Sequence, residues 1–583
     1  MERREFLKLG AMTAATVALP EVLEAEGTGI EKPNIIFIVA DQRHYGLSKA
    51  TGYPLDTSPT LDGMQKAGIG FERNYCTTPL CVPSRVSMLT GRWPEATHVR
   101  MNLQANEAYF EKDLYQVAKS QGYRTALTGK NHTYLKKESL DVWHEYMHEG
   151  GRGDANAPSE VKKFEVWLKG LHFNVAEEPS PYPLSTQIPY RIVSDAISFI
   201  DDTGSQPFLL QVGFPEPHDP EQVPAPYWNM FPPESVPGRC AGPEVLSKMG
   251  PRAQWEYRLQ QDNFPDTEKQ WRRYKSNYLG ALRMIDDQIK RLKEHLEAKD
   301  LMKRTVIVFT SDHGDYLMDY GLARKGVGLY EDLTHTPQIW WGYGVTPRSA
   351  ALEAFTSMAD LMPTLCEVMG AEIPHGVQGR SLWPILRGED FPREEFRSIY
   401  AGVGVGGLYY ENSDKVPTSI AHDAAREGSW DELNKVTQSG NQKMVRMGEW
   451  KLVYDMMGYG QLYNLRIDPC ELKNLFGKPE HAREQADLMA ELAMWMIRVQ
   501  DSLPTGPQNG KYQTKWSTQH NWYAPYRHGG RAAKLLHPVA GEGEAGEPAN
   551  GTLIPNKIRP RPFFQAAGAT RNKRSWRRDA EAK

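Results

Sequence analysis

Cysteine is scarce in this chain. Five in 583 residues exclude a disulfide framework, and an odd number leaves at least one thiol unpaired. Beyond the N-terminus no run of 18 or more apolar residues occurs, which excludes a membrane-spanning helix of ordinary length and with it a stable membrane anchor. An excess of one charge is missing too. With 69 basic against 73 acidic side chains the formal charge is −4, so nothing in the overall balance calls for nucleic acid as a partner. What is there is 40% hydrophobic and 24% charged, the composition of a soluble globular protein long enough for more than one folding unit.

The two ends differ from the body. Arg3-Arg4-Glu5-Phe6-Leu7-Lys8 precedes an uncharged, mostly apolar stretch over residues 9–19, too short to span a bilayer. The paired arginines resemble a twin-arginine export signal. That implies a signal peptide over about residues 1–28, a bacterial source, and passage through the twin-arginine export machinery to the periplasm or beyond. At the other end, Pro/Gly-punctuated sequence from about residue 501 finishes with nine basic against two acidic residues within 551–583. The net −4 is therefore an acidic body of −11 joined to a basic tail of +7, open to wrapping back on the body, to attracting a polyanion or to simple solvation, with solvation favoured.

Four short apolar runs, 34–39, 124–128, 208–212 and 305–309, predict buried strands of a parallel sheet covered on both faces. Helical periods separate them, the clearest being Leu282, Ile285, Ile289, Leu292 and Leu296. Alternating strand and helix imply an α/β fold. Each strand runs into polar residues: Asp41-Gln42, Lys130-Asn131-His132, His218, and Asp312-His313. Ligands of open α/β sheets bind at the carboxyl ends of strands, so these groups are expected to converge. Asp41, Gln42 and Asp312 offer oxygens suited to a hard divalent cation, and Lys130, His132 and His218 add positive charge beside it. A single strand-end Asp or His is usually a cap; four strand ends in succession point to a site for a charged oxyanion.

The strongest local signal is Cys81-Val82-Pro83-Ser84-Arg85, followed by Leu89-Thr90-Gly91-Arg92. Pro83 suits the first turn of a helix, which places Cys81 at the positive helix end, where a thiol pKa is lowered. Arg85 lies one turn on, on the same face. Cys366 and Cys470 read instead as buried structural cysteines, and Cys76 either as a free thiol near the pocket or as a residue without function.

This pattern resembles the signature of the formylglycine-dependent sulfatases, in the alkaline-phosphatase-like superfamily. Further landmarks follow in order, among them Arg324-Lys325-Gly326 before Tyr330-Glu331, and Arg446-Met447-Gly448 through Lys451, Leu462-Tyr463 and Asp468-Pro469. The resemblance implies a large, mostly parallel sheet between helices as catalytic domain (32–392). A smaller antiparallel C-terminal subdomain (393–500) follows, its hairpin turning near Met447-Gly448-Glu449. A closing helix presents Leu488, Leu492, Trp495 and Val499, and an irregular tail completes the chain (501–583). The insertions at 141–189 and 221–270 are expected to shape the substrate pocket.

Carried across residue by residue, the resemblance implies that a maturase converts Cys81 to formylglycine (3-oxoalanine). Asp41, Gln42, Asp312, His313 and position 81 would hold Ca²⁺, or Mg²⁺; many relatives have a second Asp where this chain has Gln42. Arg85 would hold the formylglycine, with Lys130 and His132 beside it, and His218 and Lys325 would contact the sulfate. A hydroxyl of the aldehyde hydrate would attack sulfur, His218, shared with Lys325, would protonate the leaving oxygen, and His132 would help expel sulfate. The implied activity is hydrolysis of a sulfate ester, foremost of a sulfated sugar, with choline or aryl sulfates also open. Phosphonate monoester and phosphodiester hydrolases share the signature, some with an Asp-Gln pair on the first strand. A non-catalytic glycan-binding relative fits less well, because every catalytic position is filled. His44, His98 and His335 read as surface or supporting groups, and Arg152-Gly153-Asp154 as a chance match to an adhesion motif.

Overall fold

The computed structural model of the chain describes residues 32–151, 157–326, 328–348, 353–405 and 440–500. The export-like segment, the Arg152-Gly153-Asp154 triplet and the basic tail lie outside them.

Strands β1 (Asn34–Ala40), β2 (Ile69–Phe71), β3 (Asn74–Tyr75), β4 (Arg124–Gly129), β5 (Val142–Met147), β6 (Gly150–Gly151), β7 (Phe208–Phe214), β8 (Thr305–Ser311) and β9 (Gln338–Gly342) precede the C-terminal third. All but β3 join one sheet in the order β2-β9-β8-β1-β7-β4-β5-β6. The stretch from β8 to β5 is parallel, and the flanking pairs are antiparallel. The fold is the expected α/β sheet.

Strand β1 explains why the sheet is central. All seven of its residues are buried. Ile35, Phe37 and Val39 pack on one side with Met88, Leu361 and Leu365, and Ile36, Ile38 and Ala40 on the other with Ile285, Ile289 and Leu296. A strand buried on both faces needs no polar alternation, which is how it reads in the sequence. The stripe from Leu282 to Leu296 is buried on a long helix, Trp271–Ala298, and all but Leu282 cover that second face.

The C-terminal third supplies a separate antiparallel sheet of β11 (Ser398–Val403), β12 (Gln442–Met447), β13 (Trp450–Asp455) and β14 (Gly460–Asn464), while β10 (Thr356–Ser357) pairs with β3. Met447 faces Trp450 across the β12–β13 hairpin, leaving Gly448 and Glu449 as its turn. Gly448 takes a left-handed φ of 57°, as a tight two-residue turn requires. The helix Ala482–Val499 buries Leu488, Leu492, Trp495 and Val499 as its spacing predicts. Their core also takes in Tyr75, Trp93 and Phe355 from earlier in the chain.

One cysteine reading needs correction. Cys470 is not a buried structural cysteine: it is half-buried and forms a disulfide with Cys240, across 230 residues of sequence and a Cα–Cα distance of 5.9 Å. Cys76, Cys81 and Cys366 are free and buried. No spacing rule pairs cysteines so far apart; the fold brings them together. A link closing so long a loop is worth about 2–4 kcal/mol. Cys240→Ser is therefore expected to melt several degrees below the wild type by calorimetry, whereas equal melting temperatures would refute a stabilising bond.

Candidate active site

The four strands β8, β1, β7 and β4 are consecutive and parallel, so their carboxyl ends lie along one edge of the sheet. Two glycines let the chain turn there. Gly129, at φ 116°, would place a Cβ only 1.9 Å from the Gly213 carbonyl oxygen, and a Cβ on Gly314 would lie 1.9 Å from that of Asp332. Close backbone approach at these points aims Lys130 and His313 into the crevice.

Asp41, Lys130, Asp312, His313 and Lys325 are fully buried, and Arg85 and His218 nearly so. Cys81 opens the helix Cys81–Thr90, four residues before Arg85. Ser84 Oγ donates to the Asp312 carbonyl at 2.6 Å, tying the first turn of this helix to the end of β8. Arg85 bridges both carboxylates: Nε lies 2.7 Å from Asp312 Oδ2 and a terminal nitrogen 3.2 Å from Asp41 Oδ2. Lys130 also donates to Asp41. Burial raises the Asp41 carboxyl, but the Lys130 ammonium and the Arg85 guanidinium outweigh it and hold the group well below the usual carboxylate range.

His313 Nδ1 lies 2.9 Å from the Gly314 carbonyl, which fixes the proton there and turns Nε2 toward Cys81 Sγ at 3.2 Å. Burial lowers its pKa to about 4, so it offers a lone pair and not a charge. One donor atom from each of Asp41, Cys81, Asp312 and His313 lies within 4.8 Å of the others. Two carboxylates, a neutral imidazole and position 81 are a fitting set for one divalent cation.

Gln42 sits beside this set differently from a simple ligand. Its Nε2 donates to Asp315 at 2.7 Å and its Oε1 accepts from Lys325 at 3.0 Å. Lys325 Nζ is also 2.8 Å from His218 Nε2, while His218 Nδ1 lies 3.0 Å from the Asp219 carbonyl and 3.3 Å from its carboxylate. The crevice thus sets Arg85, Lys130 and Lys325 beside Asp41, Asp312 and the Asp315 that Gln42 contacts, and its guanidinium and ammonium groups suit an oxyanion.

The thiol departs from expectation. A helix N-terminus favours a thiolate, yet burial and the adjacent Asp41 push Cys81 up to about 12, against the pull of Lys325 and Lys130. The reading of Cys81 as a lowered-pKa nucleophile is corrected: full burial and Asp41 outweigh the two lysines. His132 lines a cavity of about 880 Å³ with Lys136, Trp143, His144 and Arg191. Among the residues that sequence reasoning missed, His148 touches Lys130 at 2.7 Å and stacks on His218 at 3.9 Å, and Asp315 anchors Gln42. His148 follows β5 as His218 follows β7, so the strand-end rule was the one signal available. His44 and His335 hold supporting positions, on Asp332 and the Glu72 carbonyl.

The sequence profile of the family described as Sulfatase matches residues 33–371, more than half of the chain. The chain belongs to the sulfatase family. It is a sulfuric ester hydrolase. A choline-sulfatase of Rhizobium meliloti is 26% identical over 529 residues, which cover 85% of this chain and 93% of the relative. An N-acetylglucosamine-6-O-sulfatase of Bacteroides thetaiotaomicron is 24% identical over 561 residues, covering 85% and 91%. Among solved structures, a phosphonate monoester hydrolase of Agrobacterium radiobacter superposes with a TM-score of 0.65 at 21% identity, covering 80% of this chain and 96% of that one. That likeness is one of fold.

In this sulfatase Arg85 answers two buried carboxylates at once. Arg85→Ala should destabilise the chelator-treated protein by about 3–5 kcal/mol, because it leaves buried charge uncompensated. Arg85→Lys should restore part of the melting temperature but little of kcat/KM, since a single ammonium cannot bridge both acids.

Proposed function

We propose that this enzyme hydrolyses sulfate esters of carbohydrates, with formylglycine made from Cys81 as nucleophile and Ca²⁺ as the bound cation. The observation that carries the reading is the placement of Cys81 among Asp41, Asp312 and His313 with its thiol held up near 12. A cysteine so placed is a poor nucleophile, and its conversion to an aldehyde hydrate would put an oxygen where sulfur now stands. Asp41, Asp312, His313 and the modified residue would then hold the cation, with Gln42 beside them. The cation supplies Lewis-acid polarisation, and the aldehyde hydrate supplies a nucleophile that needs no water to release its sulfate.

The remaining work falls to the chain's own side chains. Arg85 and Lys130 fix Asp41 and Asp312, and with Lys325 they neutralise charge on the sulfuryl oxygens. Lys325 and His218, joined through Nζ and Nε2, pass a proton to the leaving oxygen, and Asp219 holds His218 by its Nδ1. His132 remains our candidate to accept the proton that accompanies sulfate release.

A carbohydrate substrate is supported by the name of the N-acetylglucosamine-6-O-sulfatase relative and by the polar, aromatic-bearing cavity at His132, Trp143 and His144. Phosphonate monoester hydrolysis stays the second reading, favoured by the Asp41-Gln42 pair. Export is supported by Arg3-Arg4 and by the Cys240–Cys470 disulfide, a bond that persists in oxidising compartments. No helix among the described residues is long and apolar enough to cross a membrane. We keep 1–28 as the signal, 32–392 as the catalytic domain and 393–500 as its subdomain.

Mass analysis of the Cys81 peptide from active enzyme should show sulfur replaced by oxygen; full activity with an intact thiol would sink the mechanism. Chelation should abolish turnover, and Ca²⁺ should restore it. Purified enzyme should turn over an aryl sulfate faster than an aryl phosphonate monoester, and a panel of sulfated oligosaccharides should release sulfate; the reverse preference would install the second reading.

A further inference from the structure

Two lysines and two histidines form one continuous chain in the crevice. Lys130 Nζ lies 2.7 Å from His148 Nε2, the His148 and His218 rings stack with centroids 3.9 Å apart, and His218 Nε2 lies 2.8 Å from Lys325 Nζ. Three of the four have places in the reaction described above; His148 has none. It stands in the two-residue turn between β5 and β6, where Met147 pairs with Gly150. Because β5 is the neighbour of β4 in the sheet, this turn reaches over the end of β4, where Lys130 begins.

An ammonium can only donate. His148 Nε2 therefore accepts, which requires the ring to be neutral with its proton on Nδ1. Lys130 has three N–H bonds, of which one goes to Asp41 and one to His148. Those two acceptors fix the rotation of the ammonium about its Cε–Nζ bond and leave one direction for an incoming oxyanion. Without His148, the ammonium keeps its bond to Asp41 but loses that fixed direction. The stack on His218 braces the same arrangement from the other side, and the Phe173 ring meets His148 at 6.2 Å.

We propose that His148 is a positioning residue of the hydrolysis, acting through Lys130 to aim its ammonium at the non-bridging oxygens of the ester. The role rests on the reading of Lys130 given under the proposed function. Lys130 acts on charge that develops on those oxygens, not on the leaving group. Loss of its alignment therefore slows the chemical step by a similar factor for good and poor leaving groups. Glutamine offers a neutral acceptor oxygen near the place of Nε2 but no aromatic face.

The test compares His148→Ala and His148→Gln in the full-length matured enzyme, on a series of aryl esters with leaving phenols of differing acidity. His148→Ala is expected to lower kcat about 10- to 100-fold with little change in KM, the penalty of a misaligned group. The factor should be the same along the series, with a melting temperature near that of the wild type, and His148→Gln should recover most of the loss. An unchanged kcat in His148→Ala, a loss that glutamine does not rescue, or a loss that grows with poorer leaving groups would overturn the proposal; the last would assign the effect to His218. The ratio is read on whichever ester the wild type turns over, sulfate or phosphonate. A wrong substrate class shows in the wild type, and a wrong role for His148 shows only in the variants.

Discussion

Two carboxylates held out of water at the ends of β1 and β8 are the constraint from which the rest of the site follows. Asp41 and Asp312 are fully buried, and an isolated charge in that position would cost more than the fold can supply. Arg85 answers both of them, Lys130 answers Asp41 again, and Ser84 and the Gln42 backbone N–H bind the Asp312 residue directly. The helix that carries Cys81 is thereby pinned to the sheet at its first turn. A cation bound among these acids would share a negative charge already balanced by the protein, so the site stays folded and oriented around it.

The sheet order makes this economical. Because β8, β1, β7 and β4 are neighbours, four polar strand ends lie along one edge, and Lys130 reaches past the end of β7 to Asp41. Glycine at 129 and at 314 permits the backbone contacts that bring Lys130 and His313 inward. Each positive group then has a defined acceptor: Arg85 on both acids, Lys130 on Asp41 and His148, Lys325 on Gln42 and His218. The amide of Gln42 matters here. A second carboxylate at this position would bind Lys325 as an ion pair, whereas the neutral amide orients the ammonium without neutralising it. Sulfate monoesters and phosphonate monoesters are both monoanions, so the charge balance suits either, and the distinction must come from shape and from the reacting atom.

Much of this was legible from the chain. Residues 34–39, 124–128, 208–212 and 305–309 lie within β1, β4, β7 and β8, each ending one or two residues beyond the expected limit. Those strands are buried on both faces, Arg124 apart, and so write mostly apolar runs without the polar alternation of a half-exposed strand. The hairpin at Gly448 and the stripe from Leu488 to Val499 were legible for the same reason, that one local pattern admits one local structure. Strand β5 was not, because near the sheet margin most of its residues are half-buried, His144 is exposed and Tyr146 alone is buried, so it carries no buried run. His148 went unnoticed with it.

The sequence by itself determined the α/β class, the polar residue at each strand end, and the Cys-x-Pro-Ser-Arg segment that marks the family, since each is a property of neighbouring residues. Only the tertiary structure decided which of those ends touch. It put Gln42 on Lys325 and Asp315, joined Cys240 to Cys470 across 230 residues, and drew His148 between Lys130 and His218. It also reversed the expectation for the Cys81 thiol, because solvent exclusion is set by the whole fold while a helix end is set by four residues.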